Sequence, residues 1–414
     1  MNHSTSSPVR VVLLLCATEI LSMTGFATYP ALLPLLQSEW QLTNSAAGLV
    51  SGTFFAGYMA AVPVLVSLTD RIDTRRIYLL ATALACAGSL GFAFFASGLL
   101  SALAFQALVG AGLAGTYMPG LRILTDHFQG PYQSRGIAFY TASFGFGTTA
   151  SLLLAGALAP LGWQWAFVVA AAGPLIAGPL VFFNFPAAAP RRAAFQPMAI
   201  FDFRPVLRNR EAMGYILGYA AHCWELFGLR SWMPAFFAFS MGLTATSTSS
   251  LVNAAALAAW VNFLGPLASI FGNEAAVRCG RRRLILVAMA ASGGLALLVG
   301  FSAPLPIAVV FTLVTIYFLM VMGDSAALTA GLVAAAAAER RGAAMALHSF
   351  LGFGAGFVAP LAFGAVLDLV GGNTRVTAWG LAFATLGAWC LIGFVIALLR
   401  RRARPSTAPE RAEF

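Results

Sequence analysis

The sequence predicts an all-α membrane protein with twelve transmembrane helices in two pseudo-symmetric bundles of six. The first observation is composition: 60% of the 414 residues are hydrophobic and 9% are charged, and the mean hydropathy is +0.84. The second is a series of apolar stretches of about 20 residues, the length that crosses a bilayer. The third is a basic loop that recurs at half the length of the chain. Together they exclude an ordinary soluble domain.

The apolar stretches form two groups of six, separated by a polar segment. We number them as spans 1 to 12: 11–36, 45–67, 77–97, 99–121, 136–158, 165–186, 213–239, 249–272, 284–303, 305–334, 343–369 and 377–399. The predicted domains are therefore an N-terminal bundle (1–186), a linker (187–212), a C-terminal bundle (213–399) and a tail (400–414). The linker combines three Pro with five Arg, so we interpret it as a cytoplasmic connection.

The distribution of basic residues predicts the orientation. All 24 of them are Arg, and they lie in short loops, so the charge does not indicate nucleic-acid binding, which needs a basic soluble face. With both termini inside, 22 of the 24 Arg lie on the cytoplasmic side, leaving Arg375 outside and Arg230 within span 7. The positive-inside rule therefore predicts a multi-pass protein of the bacterial inner membrane with cytoplasmic termini.

The basic loop that follows span 2 is repeated after span 8. The first copy ends the stretch Gly57–Arg76, and the second ends Gly265–Arg283. Arg71 corresponds to Arg278, and Arg76 to Arg283, both at a spacing of 207 residues, which is half of 414. A loop repeated at half-length indicates two duplicated bundles.

Several motifs resemble the major facilitator superfamily. They are the pattern Asp70-Arg71-x-x-x-Arg75-Arg76 between spans 2 and 3, the basic turns Ser134-Arg135-Gly136 and Arg340-Arg341-Gly342, and the run Gly162-Trp163-Gln164-Trp165-Ala166-Phe167. The resemblance covers nearly the whole chain and implies a transporter whose bundles rock around a central cavity. It also implies a gating role for Asp70, Arg71, Arg75 and Arg76, because a carboxylate near a neighbouring helix N-terminus is stabilised by the helix dipole.

The chain also departs from the superfamily pattern at three places. Gln106 stands where the span 4 signature has an Arg four residues before Gly110, and Val277 replaces the second-half equivalent of Asp70. Span 5 lacks the Gly-Pro pair that resembles an antiporter hallmark and has Gly147-Thr148-Thr149-Ala150 instead. The last difference weakens a drug-antiporter interpretation without excluding it.

Ionisable residues inside spans are candidates for function, because each costs about 2.5–3.5 kcal/mol on insertion scales. The resemblance implies that spans 1, 4, 7 and 10 line the cavity. The predicted substrate and proton pathway is Glu19, Gln106, Tyr117, His222, Trp224, Glu225, Arg230, Tyr317 and Asp324. For each, the alternative is a structural contact between helices or, for Arg230, snorkelling to the interface. Asp368 lies at the outer edge of span 11, where water reaches it, and is not included.

Helix geometry narrows the expected contacts. His222 and Glu225 are three residues apart and share a face, so they can exchange a proton or a hydrogen bond. Arg230 lies five residues after Glu225, about 140° around the helix, so an ion pair would require the helix to loosen at Gly228. The five Cys show neither metal-ligand nor disulfide spacing, and we expect them to pack.

The favoured function is proton-coupled uptake of a small organic solute. The chain has no Lys and therefore no Lys-containing phosphate-binding loop, so a gradient must supply the energy. We expect no enzyme activity, cofactor, metal or nucleic-acid partner; the expected partners are the substrate, protons and the lipid bilayer, and the protein is expected to be a monomer. The alternatives are a proton-coupled multidrug efflux antiporter and a non-transporting membrane receptor. Substrate charge stays open.

Overall fold

The computed structural model describes residues 8–69, 71–127, 131–187, 203–242, 249–337 and 340–402. Within these residues every regular element is an α-helix or a short 3-10 turn. Ten helical segments of the described chain are long and apolar enough to cross a membrane. Spans 1 and 7 are not among them. The all-α, twelve-span class predicted from the sequence is confirmed.

The N-terminal bundle contains spans 1 to 6. Span 1 consists of two helices, Pro8–Ser22 and Thr28–Glu39. Spans 2 to 6 are the helices Asn44–Leu68, Thr74–Phe95, Leu99–His127, Pro131–Leu158 and Trp163–Asn184.

The C-terminal bundle contains spans 7 to 12, preceded by the short helix Arg204–Arg208. Span 7 is the single helix Arg210–Gly242, and span 9 is Arg281–Val299. Spans 8 and 10 each consist of two helices, Ser249–Phe263 with Gly265–Cys279 and Ile307–Gly323 with Ser325–Ala335. Spans 11 and 12 are Arg341–Leu369 and Val376–Arg402.

Three spans are therefore interrupted in the middle of the bundle. Span 1 breaks between Ser22 and Thr28, and span 10 breaks at Asp324. Span 8 restarts at Gly265 with Pro266 in its first turn. Pro has no backbone N–H, but in the first turn that N–H would have no partner within the helix. Non-helical backbone at membrane depth is tolerated only where protein buries it or where it lines a cavity. The breaks thus mark the places where a site is expected.

The loops define two ends of the molecule. The Arg-rich end holds the connections around residues 69–73 and 280, each followed by Arg at the start of the next span. The Arg-poor end holds the connections at residues 40–43, 159–162 and 370–375. These two names are kept below.

The bundles meet closely through spans 2 and 11. A Cβ built at Gly48 would lie 2.1 Å from the carbonyl oxygen of Pro360, and one at Gly52 would lie 2.2 Å from that of Phe357. Only glycine permits such an approach of two backbones. Gly48 and Gly52 lie in the first third of span 2, so this tight contact occupies its Arg-poor half.

A polar contact closes the same end. Oδ1 of Asp368 accepts hydrogen bonds from the backbone N–H (3.0 Å) and the side-chain amide (2.7 Å) of Asn44. Its Oδ2 accepts bonds from the backbone N–H (2.8 Å) and the hydroxyl (2.5 Å) of Ser45. A carboxylate from span 11 therefore caps the first turn of span 2, where the helix dipole favours negative charge.

Candidate functional site

A cavity lies between the two bundles. Its walls come from six spans: Phe26, Ala27, Tyr29 and Pro30 of span 1, Ser51, Phe54 and Phe55 of span 2, Gln106 of span 4, Thr148 and Leu152 of span 5, Arg230 and Ser231 of span 7, and Asn262 of span 8. The break in span 1 lies on this wall, as irregular backbone at a cavity should. Of the nine residues predicted for the pathway, Gln106 and Arg230 line this cavity.

Arg230 is the charged residue on the cavity wall. Its side chain is buried, with 9% exposed, and its Nε donates a 3.0 Å hydrogen bond to Oδ1 of Asn262. The guanidinium carbon lies 5.9 Å from the ring centre of Phe144 and 5.5 Å from that of Phe318, within cation–π distance. Asn262 and the two rings thus fix the direction in which the guanidinium points.

The loosening of span 7 at Gly228 that a Glu225–Arg230 ion pair would require is not present. The helix Arg210–Gly242 is continuous, and Asn262, not Glu225, is the hydrogen-bond partner of Arg230. Gly228 serves packing instead, because a Cβ there would lie 2.4 Å from the Leu386 side chain of span 12.

Glu19 lies inside the N-terminal bundle. It is completely buried, and its Oε2 accepts a 3.0 Å hydrogen bond from the Tyr140 hydroxyl of span 5. Its Oε1 has no hydrogen-bond partner among the described residues. Tyr117 stacks on Tyr140 with ring centres 5.7 Å apart, and its ring also contacts Phe144. These tyrosines therefore form a layer between Glu19 and the Arg230 region.

Glu225 lies in the corresponding interior of the C-terminal bundle. Its Oε2 accepts hydrogen bonds from the Ser292 hydroxyl (2.8 Å) and the Cys390 thiol (3.1 Å), on spans 9 and 12. Its Oε1 has no partner within the described part of the chain. The expectation that every Cys only packs is wrong for Cys390, which donates to a carboxylate. Tyr317 is buried nearby, with its ring against Phe383 of span 12.

His222 is paired with Asp324 and not with Glu225 as the spacing predicted. Its Nδ1 lies 2.8 Å from Oδ1 of Asp324, and both side chains are buried. The two atoms are at ion-pair distance, but their orientation does not meet the angular requirement of a hydrogen bond. Tyr219 stacks between His222 and His348, at centre distances of 5.8 and 3.7 Å.

Sequence reasoning missed several members of these groups. Tyr140, Ser292, Asn262 and His348 are neutral or weakly basic residues in helices, and nothing in their spacing distinguishes them from packing residues. Trp224, predicted for the pathway, donates its indole N–H to the Thr385 carbonyl of span 12 at 3.2 Å. Its role in the pathway stays a prediction.

The predicted gating loop is only partly described. Asp70 lies outside the described residues, and Arg71 and Arg76 are exposed. Arg75 forms a 2.6 Å ion pair with Asp73 and donates hydrogen bonds to the carbonyls of Phe182 (3.2 Å) and Phe185 (2.8 Å). Arg75 thus binds the loop to span 6 of its own bundle, and the gating role of the loop stays a prediction.

Two helical bundles that enclose a cavity beside interrupted spans have the architecture of secondary transporters. Residues 15–277 match the profile of the Major Facilitator Superfamily, and the chain belongs to that superfamily. This assigns the protein to transporters and not to enzymes.

Relatives and solved structures agree with this assignment. Protein spinster homolog 3 of Danio rerio is 26% identical over 235 residues, which are 54% of this chain and 47% of that protein; the chain thus matches about half the length of this curated relative. A bacterial homologue of the human lysosomal transporter Spinster, inward-facing and unoccupied, superposes with a TM-score of 0.77 at 16% identity, covering 99% of this chain and 100% of that one. A D-xylose–proton symporter gives 0.73 at 14% identity, covering 93% and 97%. At such identities the likeness shows the fold alone.

Proposed function

We propose that this protein takes up a small organic solute across the bacterial inner membrane and that the proton gradient drives this uptake. The observation that carries the proposal is the setting of Glu225: a carboxylate buried in the bundle, bonded through one oxygen to a hydroxyl and a thiol. No cationic side chain forms an ion pair with it in the described chain. Glu19 has the same character in the other bundle, with a phenol as its donor.

The chemistry of such a carboxyl group favours proton exchange. An ionised carboxylate without a cationic partner is expensive in an apolar interior, whereas the protonated group is neutral. The group is therefore stable with a proton while the bundle excludes water and can release it once water reaches the site. Proton release coupled to opening is what a proton-driven transporter requires.

The contacts between bundles support alternating access. The Gly48–Pro360 approach and the Asp368 cap hold the Arg-poor end closed. With the Arg-rich end in the cytoplasm, as the Arg distribution predicts, the closed end is the outer end. Rocking the bundles about the cavity would break the Asp368 cap and expose the cavity to the other side.

Transport of labelled solutes into proteoliposomes tests the proposal. The probes are benzoate, D-xylose, uridine and tetraphenylphosphonium, which represent an anion, a sugar, a nucleoside and a lipophilic cation. We expect one of the first three to accumulate under an imposed proton gradient. Glu225→Gln should reduce this accumulation at least about tenfold and keep exchange of the same solute, which needs no net proton movement. Glu211→Gln, an exposed carboxylate on the same span, is the control.

The possible results separate the candidate functions. Gradient-driven accumulation of solute by Glu225→Gln at the wild-type level would contradict a proton role for that residue. Proton-driven export of tetraphenylphosphonium alone would indicate the efflux antiporter. Absence of any flux would indicate the non-transporting receptor.

A further inference from the structure

The structure separates acidic groups from the cavity. Glu19 and Glu225 bond to side chains within their own bundles, and Asp324 contacts His222. None of these carboxylates is among the residues that line the cavity, whose one charged member is Arg230. The described wall of the cavity is therefore cationic.

Hydrogen-bonding groups on this wall are left without partners. The guanidinium of Arg230 uses Nε for Asn262, and its two Nη groups have no acceptor among the described residues. The Ser51 hydroxyl is buried and also unpartnered there. A buried donor without a partner costs free energy; the Nη groups of Arg230 lie on the same wall and are available to an acceptor. A bound oxyanion would satisfy these groups together.

The backbone adds to the same preference. The second helix of span 1, Thr28–Glu39, starts next to Ala27 on the cavity wall. The positive end of its dipole therefore lies at the cavity wall, and half-helix N-termini in transporters favour anionic groups of substrates.

The remaining wall is aromatic. Phe26, Phe54 and Phe55 pack edge to face, with ring centres between 5.2 and 6.2 Å apart. An apolar body would bury against these rings with favourable free energy. One cation balances one negative charge, so a second charge on a ligand would be buried without a partner.

In the present state the cavity has a volume of about 20 Å³, which suits one water-sized group, so a ligand requires the bundles to move apart. We propose that the widened cavity binds a small organic monoanion, with its oxyanion group on the Nη groups of Arg230 and its apolar body against Phe26, Phe54 and Phe55. This inference rests on the proposed transport of an organic solute and adds the charge of that solute. Carboxylate, sulfonate and phosphonate head groups share this chemistry, and the experiment separates them.

The test is the thermal stability of the purified protein with a series of ligands that share one ring. A ligand that binds the folded state stabilises it in proportion to ln(1 + [L]/Kd). The anionic probes are benzoate, benzenesulfonate and phenylphosphonate, the last at a pH below its second pKa, where it is a monoanion. The matched comparisons are neutral benzyl alcohol, cationic benzylamine and the dianion phthalate. We expect benzoate or another monoanion of the series to raise the melting temperature, and the neutral, cationic and dianionic analogues to bind at least about tenfold more weakly.

Substitutions on the cavity wall test whether the stabilising anion binds in the cavity. Arg230→Met should weaken anion binding about tenfold or more, because charged hydrogen bonds are lost, and Arg230→Lys should retain part of it. Gln106→Glu, which adds a carboxylate to the same wall at nearly constant volume, should abolish it. Arg375→Gln, an exposed Arg of the Arg-poor end, should have no effect. If Arg230→Met does not fold, the Lys and Glu variants still decide the question.

Two results would overturn the inference: no stabilisation by any of the three monoanionic head groups, or equal binding of benzoate and benzyl alcohol. Either result leaves the proton proposal intact if Glu225→Gln still uncouples transport of a neutral solute. Conversely, Arg230-dependent anion binding together with normal coupling in Glu225→Gln would support the anion site and contradict the proton role.

Discussion

At the scale of single residues, the partners of a buried ionisable group determine what it can do. Glu225 has a hydroxyl and a thiol as donors, so a proton can neutralise it without loss of an ion pair. Asp324 lies next to an imidazole at 2.8 Å, and removing either member leaves the other buried alone. The two carboxylates differ in consequence: Glu225 is suited to exchange a proton, and Asp324 to hold spans 7 and 10 together.

A double-mutant cycle on His222 and Asp324 tests this distinction. We expect His222→Ala and Asp324→Ala to be non-additive, with a coupling free energy above about 1.5 kcal/mol, because each single change leaves an uncompensated buried group. Equilibrium unfolding in mixed micelles provides the measurement. The control is the Arg278–Glu274 pair, whose side chains are 74% and 56% exposed and whose coupling should stay below about 1 kcal/mol.

Equal coupling in the two pairs would contradict an ionic contact between His222 and Asp324. The sequence favoured a His222–Glu225 pair because residues three apart share a face. That rule says nothing about neighbouring helices. In the structure His222 meets span 10, whereas Glu225, about 60° away around the helix, meets spans 9 and 12. Side-chain partners across helices depend on helix rotation, which hydrophobic length alone does not encode.

At the scale of elements, the interrupted helices and the cap at the Arg-poor end are the features that a span count leaves out. The sequence indicated spans 1, 8 and 10 by length, but their breaks depend on contacts with other spans. A Cβ at Gly272 in span 8, for example, would lie 1.9 Å from the Gly323 carbonyl oxygen beside the break in span 10. Asp368 was left out because it is accessible to water, yet it joins the two bundles.

Removal of the Asp368 carboxylate should favour the state that is open at the Arg-poor end. Loss of a helix N-cap costs about 0.5–2 kcal/mol, which corresponds to about a two- to thirtyfold shift if the cap exists in one state only. Spin labels at Leu100→Cys and Thr374→Cys, one in each bundle at this end, allow the distance distribution to be measured. Asp368→Ala should increase the population of longer distances.

Glu39→Ala is the matched control, since this exposed carboxylate ends span 1 at the same end of the molecule. Its distance distribution should equal that of the unmodified protein. An unchanged distribution in Asp368→Ala would show that the glycine contacts of spans 2 and 11 hold the closed end without the cap.

At the scale of the whole molecule, duplication predicts the positions of the two buried carboxylates but not the side chains around them. The half-length repeat places Glu19 and Glu225 in comparable interiors of the two bundles, 206 residues apart. Their donors are different, however: one phenol from span 5 in the first half, and a hydroxyl and a thiol from spans 9 and 12 in the second. A repeat preserves the position of a helix, while the residues around it have diverged. The cavity therefore could not be read from symmetry.

The orientation of the whole molecule is the last prediction, and every statement about uptake depends on it. Because the sequence assigns 22 of the 24 Arg to the cytoplasmic side, the reversed topology would place nearly all of this charge outside, against the positive-inside rule. Cys279 is exposed and ends span 8 at the Arg-rich end, so it is a natural cytoplasmic probe. A second variant combines Cys279→Ser with Thr374→Cys. It has its exposed thiol at the Arg-poor end instead. A membrane-impermeant maleimide should label Thr374→Cys in intact spheroplasts and Cys279 only in inverted vesicles. The opposite pattern would contradict the predicted orientation and would place the closed end on the cytoplasmic side.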